Sequence, residues 1–421
     1  MTAKTRAVVV GAGLAGLTAG YELAKDSRFD VLLLEARDRI GGRVLSRAIQ
    51  GCDVDLGGFM IFPWYRTYRE LCDELGLESE LRRVPSLELY YDLGDRQLIQ
   101  EGEFELHLSK LIAVATKSLA SALSSGTLDQ PSLDHYQRRA IEACIDDWVG
   151  EPVEAMKYKR LVDTLCQGYC YAPISQYKAA FAMPIYPRTV LLGGATKCDT
   201  FPHGGRTLPE ALQKAFIDLG GRLQLGCEVT TFDGHRVETS EGHHDADVFV
   251  FAQNADHELM RDLVPRSKHV VGYTRFVTAI ARLPDRYQST IGDWGAIFFA
   301  SDDERRSQVL SVIDLERLHA TDALARHYTF NIRWNANEPV NVDTITDAVE
   351  QVCRGRGEME VVAYEAWSQA MPISDELFVE TVRALQGVGG CWFAGDYLGC
   401  PSMEVAVATG LDVARAIRKA M

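Results

Sequence analysis

Three glycines, a carboxylate and an arginine carry the strongest chemical signal in this 421-residue chain. Gly11, Gly13 and Gly16 stand in a Gly-Ala-Gly-Leu-Ala-Gly run, Glu35 follows nineteen positions after Gly16, and Gly41-Gly42-Arg43 comes shortly behind. Glycines at this spacing permit a tight turn, let the backbone approach a pyrophosphate, and let a helix pack closely on a strand, in that order. A carboxylate roughly 20 residues further on accepts hydrogen bonds from a ribose diol and repels a 2′-phosphate. The arginine offers a planar fork of donors suited to phosphate oxygens.

These groups act together only if a strand, a helix and a second strand position them. Ala7-Val8-Val9-Val10 predicts the first strand, the glycine turn opens a helix through about Lys25, and Val31 to Leu34 predicts the second strand, with Glu35 at its end. That order is a dinucleotide-binding βαβ unit, with the helix N-terminus aimed at phosphates. The glycine spacing by itself does not separate a nicotinamide from a flavin dinucleotide.

The residues behind it do. Glu35-Ala36-Arg37-Asp38-Arg39-Ile40-Gly41-Gly42-Arg43 and then Asp55-Leu56-Gly57-Gly58-Phe59 resemble the extended FAD fingerprint of the flavin-containing amine oxidase superfamily, which includes phytoene desaturases and protoporphyrinogen oxidases. The resemblance implies cofactor contacts from Gly11, Gly13, Leu14, Ala15 and Gly16, from Glu35, Ala36, Arg37, Gly42 and Arg43, and from Gly57, Gly58 and Phe59. A middle block, 201 to 265, is similar to the same superfamily and implies an adenine contact at Val229. The closing block pairs a strand, Cys391-Trp392-Phe393-Ala394-Gly395-Asp396-Tyr397, with a helix beginning near Ser402-Met403-Glu404. The resemblance implies cofactor contacts there from Gly395, Asp396, Ser402, Met403 and Glu404, and Asp396 can accept hydrogen bonds from ribityl or phosphate-linked groups. Helix-initial N–H groups of Ser402, Met403 and Glu404 can stabilise the negative charge of a reduced flavin.

Two departures from the amine oxidase pattern stand out. Ser402 occupies the place where amine oxidases often carry one wall of an aromatic cage, and Val277 or Thr278 falls where many carry a lysine. The closing motif is nearer to phytoene-desaturase-type sequences. No cysteine precedes it at the spacing used for covalent flavin attachment, so the implied FAD is non-covalent. The implied activity is removal of two electrons, as a hydride to flavin N5, from a largely apolar small molecule. Dehydrogenation of a C–C bond leads, oxidation of an amine C–N bond is the alternative, and a non-catalytic flavin-binding protein is the alternative of another class. Oxygen, a quinone or another acceptor would reoxidise the flavin. Because the flavin carries the chemistry, no catalytic side chain is named; the pocket candidates are Phe59, Tyr364 and Trp367.

Composition narrows the setting. A hydrophobic content of 47% with 24% charged residues is that of a globular protein, and the balance of 44 basic against 59 acidic residues disfavours nucleic acid. The start of the chain runs directly into the first strand and no apolar run approaches ~20 residues, so the expectation is a cytoplasmic protein without a membrane span. Leu106 to Leu123 has helical periodicity and leaves peripheral contact with the inner face of a membrane open. The ten cysteines are scattered without a Cys-x-x-Cys pair, which predicts buried free thiols and no metal site. Oligomeric state does not follow from these patterns.

The expected fold class is α/β, a Rossmann-like FAD-binding domain interwoven with an α+β substrate domain. Residues 1–60, 201–265 and 385–421 would form the FAD-binding domain, and 61–200 and 266–384 the substrate-binding domain. The aromatic exit Phe59 to Tyr65 crosses the first boundary, and the second domain contains a hairpin between Ser86 and Gln100, helices near 133–148 and 153–168, and strands between 270 and 372.

Overall fold

The computed structural model describes residues 3–84, 89–92, 98–100, 139–178, 197–264, 271–284, 295–299, 308–335, 338–353, 359–374 and 376–421. The expected amphipathic helix from Leu106 to Leu123 lies outside the described residues, as does part of the helix near 133–148.

A five-stranded parallel sheet gathers three distant parts of the chain. The first strand, Thr5–Val10, lies at its centre, with Phe29–Leu34 and then Arg222–Gln224 on one side, and Val248–Phe251 and then Cys391–Phe393 on the other. Parallel strands are covered on both faces, and these four-residue and six-residue apolar runs are nearly all buried accordingly. The opening helix, Leu14–Ala24, packs on one face between the closing helix, Met403–Ala420, and the helix Thr207–Asp218. Gly16 lets the start of this helix lie against the end of the first strand, because a Cβ there would come within 1.9 Å of the Gly11 carbonyl oxygen, and Gly410 lets the closing helix approach, because a Cβ there would come within 2.3 Å of the Ala15 carbonyl oxygen. The chain leaves the first strand toward one side and later crosses to the other, so the direction of winding changes between Thr5–Val10 and Val248–Phe251. In parallel sheets a ligand crevice opens beyond the C-terminal ends at that point.

The second sheet has seven strands. From one edge the order is Glu360–Trp367, Phe276–Arg282, His327–Arg333, Val309–Asp314, Ala296–Phe299, Leu89–Asp92 and Leu98–Gln100, all antiparallel except for the pairing of Ala296–Phe299 with Leu89–Asp92. One face packs beneath the helix Val342–Cys353, where Val277, Ala279, Tyr328 and Phe330 meet Ile345 and Val349. The other face carries a buried polar row: Thr278 Oγ1 donates to Asn331 Oδ1 at 3.2 Å, and Asn331 Nδ2 donates to Ser311 Oγ at 2.9 Å. Every polar atom in that row has a neighbour, which offsets the cost of burying it.

The helix Pro152–Cys170 stands over this second face. Asp163 anchors its end by accepting from Gln167 Nε2 and from the backbone N–H of Ile174, both at 2.7 Å. Tyr171 then terminates the helix in a left-handed conformation, φ 60°, an arrangement uncommon for a bulky side chain. All ten cysteines are free thiols, and all but Cys52 are buried. Among the described residues no helix is long and apolar enough to cross a membrane, and no cluster of three His, Cys, Asp or Glu could hold a metal ion.

Candidate active site

The crevice at the winding change is a cavity of about 320 Å³, within the ~300–1,000 Å³ usual for small-molecule sites. Its near end is built by the first βαβ unit. Gly11, Gly13, Leu14 and Ala15 line it at the mouth of the opening helix, whose first turn has no side-chain cap. The N–H groups there are free of intrahelical partners, and the helix dipole directs positive potential into the cavity. Gly41 N–H donates to the Ala12 carbonyl at 2.8 Å, drawing the second glycine pair against the first. Glu35, Ala36 and Arg37 line the same end. The Glu35 carboxylate accepts from Ala12 N–H at 2.7 Å and from Arg37 N–H at 2.9 Å, so its position is held by the turn it serves. Val229, buried at the start of a short strand, closes this end with Cys227 and Glu228.

Further along stand Arg43 and Asp396. Arg43 Nη1 donates to Asp396 Oδ2 at 2.8 Å and to the Ala370 carbonyl at 2.6 Å, and Nη2 donates to Asp396 Oδ1 at 2.6 Å. Burial opposes the Arg43 charge, and the Asp396 carboxylate outweighs it, leaving the guanidinium pKa above its ordinary value. Both residues line the cavity, and they are engaged with each other rather than presented singly, as the spacing had suggested. Asp396 nevertheless lies at the end of the Cys391–Phe393 strand beside Gly395, which also lines the cavity.

Gly57 and Gly58 line the opposite wall, with Met403 packed over Gly58. Ser402 caps the closing helix, its Oγ accepting from Val405 N–H at 3.2 Å. Ser402 and Met403 therefore face the cavity, whereas Glu404 does not. Its buried carboxylate accepts from Thr67 and Tyr68 N–H at 2.7 and 2.8 Å and caps the helix Arg66–Glu74. The physical reason is helical periodicity: adjacent residues point ~100° apart.

The far end is aromatic. Trp367 is 4% exposed, lines the cavity, and donates from Nε1 to the Leu56 carbonyl at 2.9 Å. Phe276 pairs with it across the sheet, and Tyr171 stacks on Phe276 with centroids 3.7 Å apart and rings 17° from parallel. Tyr171 and Phe276 also line the cavity. Burial pushes the Tyr171 hydroxyl pKa up, so the ring is a neutral apolar surface.

Besides Glu404, three expected contacts lie elsewhere. Gly16 does not line the cavity and serves the packing described above. Phe59 is half-buried against the core beneath the first sheet rather than on the cavity wall. Tyr364 sits three positions before Trp367 on the same strand, which turns it to the other face, against the helix Val342–Cys353. Conversely, Tyr171, Phe276, Gln253 and Asn254 line the cavity without having been singled out. Gln253 and Asn254 follow the Val248–Phe251 strand, and the rule for parallel-strand ends could have found them. Gln253 has a buried amide whose nitrogen and oxygen both lack a partner among the described residues, whereas Asn254 Nδ2 donates to Gln369 Oε1 at 2.6 Å.

The donor set fits an elongated, doubly anionic ligand: an uncapped helix start and an arginine for phosphates, a carboxylate for a diol, and apolar surface at both ends. The flavin containing amine oxidoreductase family matches residues 14–259 of this chain. Among curated proteins the chain is 28% identical over 225 residues to the probable flavin-containing monoamine oxidase A of Dictyostelium discoideum, a match spanning 49% of this chain and 47% of that protein. The matched stretch is thus about half the length of the relative. Among solved structures, a protein from Exiguobacterium sp. 255-15 named as a protoporphyrinogen oxidase superposes with a TM-score of 0.76 at 16% identity over 100% of both chains. A fatty acid isomerase from P. acnes that produces CLA superposes with a TM-score of 0.75 at 17% identity over 99% of both. These likenesses show a shared fold.

Proposed function

From the premise that this chain belongs to the flavin containing amine oxidoreductase family, and is an FAD-binding oxidoreductase, we propose that it removes two electrons from a largely apolar small molecule, in the first place by dehydrogenating a C–C bond. The observation that supports this reading is the aromatic wall of Tyr171, Phe276 and Trp367 at the end of the cavity away from Glu35. FAD, when bound, supplies the acceptor for a hydride from the substrate.

The remaining chemistry belongs to the chain's own groups. Glu35 would hold the adenosine ribose, with Val229 against the adenine. The N–H groups at Leu14 and Ala15 would meet the pyrophosphate, with Arg43 beside them. Asp396 would accept from polyol hydroxyls on its unshared lone pairs while retaining Arg43. Met403 and the start of the closing helix would put positive potential where negative charge builds on reduction. Trp367, Tyr171 and Phe276 would exclude water and hold a C–H bond of the substrate in place. The electron acceptor that follows is oxygen, a quinone or another oxidant.

One observation favours the second reading, oxidation of an amine C–N bond. Tyr171 and Trp367 both present aromatic surface to the cavity, and a neutral nitrogen is well held beside such faces, even with Ser402 in place of an aromatic residue. Anaerobic mixing of the FAD-loaded protein with paired apolar compounds and amines, followed by flavin bleaching, tests both. Bleaching by non-amine compounds supports dehydrogenation, bleaching by amines alone supports the second reading, and bleaching by neither overturns both.

A further inference from the structure

Arg333 lies one strand beyond the aromatic wall. Phe276 pairs with Trp367 on one side and with Arg333 on the other, and side chains of directly paired residues share a face, ~4.5–5.5 Å apart at Cβ. The row therefore runs indole, phenyl, guanidinium across one face of the second sheet. Arg333 Nη2 donates to Gln167 Oε1 at 2.7 Å. Gln167 is in turn oriented by donating Nε2 to Asp163, and it sits one helical turn before Tyr171, the residue stacked on Phe276. The guanidinium is thus held beside the aromatic stack by a buried relay.

Its charge is otherwise unanswered. Among the described residues its side chain makes one hydrogen bond, to a neutral amide, and no ion pair, although a guanidinium has five N–H donors. Arg333 is an exposed residue, yet burial lowers its pKa, with Asp163 acting in the opposite sense. Arg333 does not itself line the cavity; it lies on the strand next to Phe276, which does, with solvent on its outer side. A structural arginine at a strand end would ordinarily meet a carboxylate.

We propose that Arg333, oriented by Gln167, is an anion-recognition site at the outer end of the substrate pocket, and that the substrate is an apolar molecule carrying a carboxylate. This rests on the reading of the pocket as an apolar oxidation site. The carboxylate would take two guanidinium N–H bonds, while the hydrocarbon part lies along Phe276, Tyr171 and Trp367. The same charge would repel a cationic diamine.

The test is titration of the FAD-loaded protein with octanoate, octanol and octylamine, read from the absorption spectrum of the bound flavin. Octanoate is expected to bind about tenfold or more tighter than octanol, as a charge-assisted hydrogen bond implies. Arg333→Met should remove that preference while leaving FAD content and octanol binding unchanged, and Arg333→Lys should keep part of it. An octanoate affinity no better than that of octanol in the unaltered protein overturns the proposal, as does a preference that survives in Arg333→Met. Binding of octanol without any preference for octanoate sinks the carboxylate site alone. Failure of all three to perturb the flavin also removes the apolar-pocket reading.

Discussion

Arg43 and Asp396, 353 residues apart in sequence, meet in a two-pronged ion pair of 2.6 and 2.8 Å within the cavity. The pair ties the first glycine fingerprint to the closing motif across the proposed cofactor cavity. Arg43→Lys keeps the charge and loses the fork. It should lower FAD affinity by about tenfold or more, corresponding to loss of a charge-assisted hydrogen bond, while Arg43→Ala should lose more because it leaves the Asp396 carboxylate without its partner. Fluorescence titration of the apoprotein with FAD measures both. Equal affinity in all three proteins would remove the arginine from the cofactor site.

Glu35→Ala should weaken FAD binding by about 1.5–3 kcal/mol. The same carboxylate accepts from Ala12 and Arg37 N–H, so the substitution also releases two donors of the turn. Glu35→Gln retains an acceptor oxygen and should fall between. The same titration applies, and an unaltered dissociation constant for Glu35→Ala would contradict the ribose role.

Trp367→Phe deletes the hydrogen bond from Nε1 to the Leu56 carbonyl and should cost about 1–2 kcal/mol of stability. It should also alter the absorption of the bound flavin and slow anaerobic reduction, since the ring forms part of the cavity wall. A lower melting temperature with an unchanged spectrum and reduction rate would make Trp367 a packing residue only.

Asp55 gives a pH prediction. Burial pushes its carboxyl up to about 7 against hydrogen bonds from Ser46 and from Gly205 N–H, and its Oδ2 has no partner. The folded protein therefore keeps a proton that the unfolded chain releases near 3.8. That contribution to stability is fully present below the unfolded value, is lost as pH rises toward about 7, and is constant above. Asp55→Asn should flatten this part of the profile and stabilise the protein relative to the parent at alkaline pH. Urea unfolding at several pH values, read as the difference between the two proteins, gives the sign. A difference that does not change with pH would refute the assignment.

The meeting of Gly11, Glu35 and Arg43 at one cavity was legible because each is tied to a short local motif. Gly11, Glu35 and Arg43 reach one cavity for reasons of turn, strand end and fork that spacing alone expresses. Tyr171 and Phe276 were not legible, because what joins them is a helix end 105 positions away from a strand start, and nothing local encodes that meeting. Tyr364 shows a different limit. It was grouped with Trp367 by proximity to the segment returning to the cavity, whereas an odd offset on a strand turns the two to opposite faces. Glu404 was grouped with Ser402 and Met403 as one helix start, and its carboxylate instead satisfies the first turn of another helix.

The five-stranded sheet has a consequence for how the protein comes into being. Its last strand, Cys391–Phe393, pairs among the described residues with Val248–Phe251 alone and delivers both Asp396 and the helix that packs along Leu14–Ala24. Contacts spanning nearly the whole chain form slowly, since the entropy of closing so long a loop must be overcome first. A chain still lacking residue 391 exposes Arg43 without its carboxylate and the opening helix without its neighbour. Tight FAD binding is therefore expected to require that this closing segment has docked. Free FAD that binds only the docked state would stabilise docking of residues 391–421 by mass action.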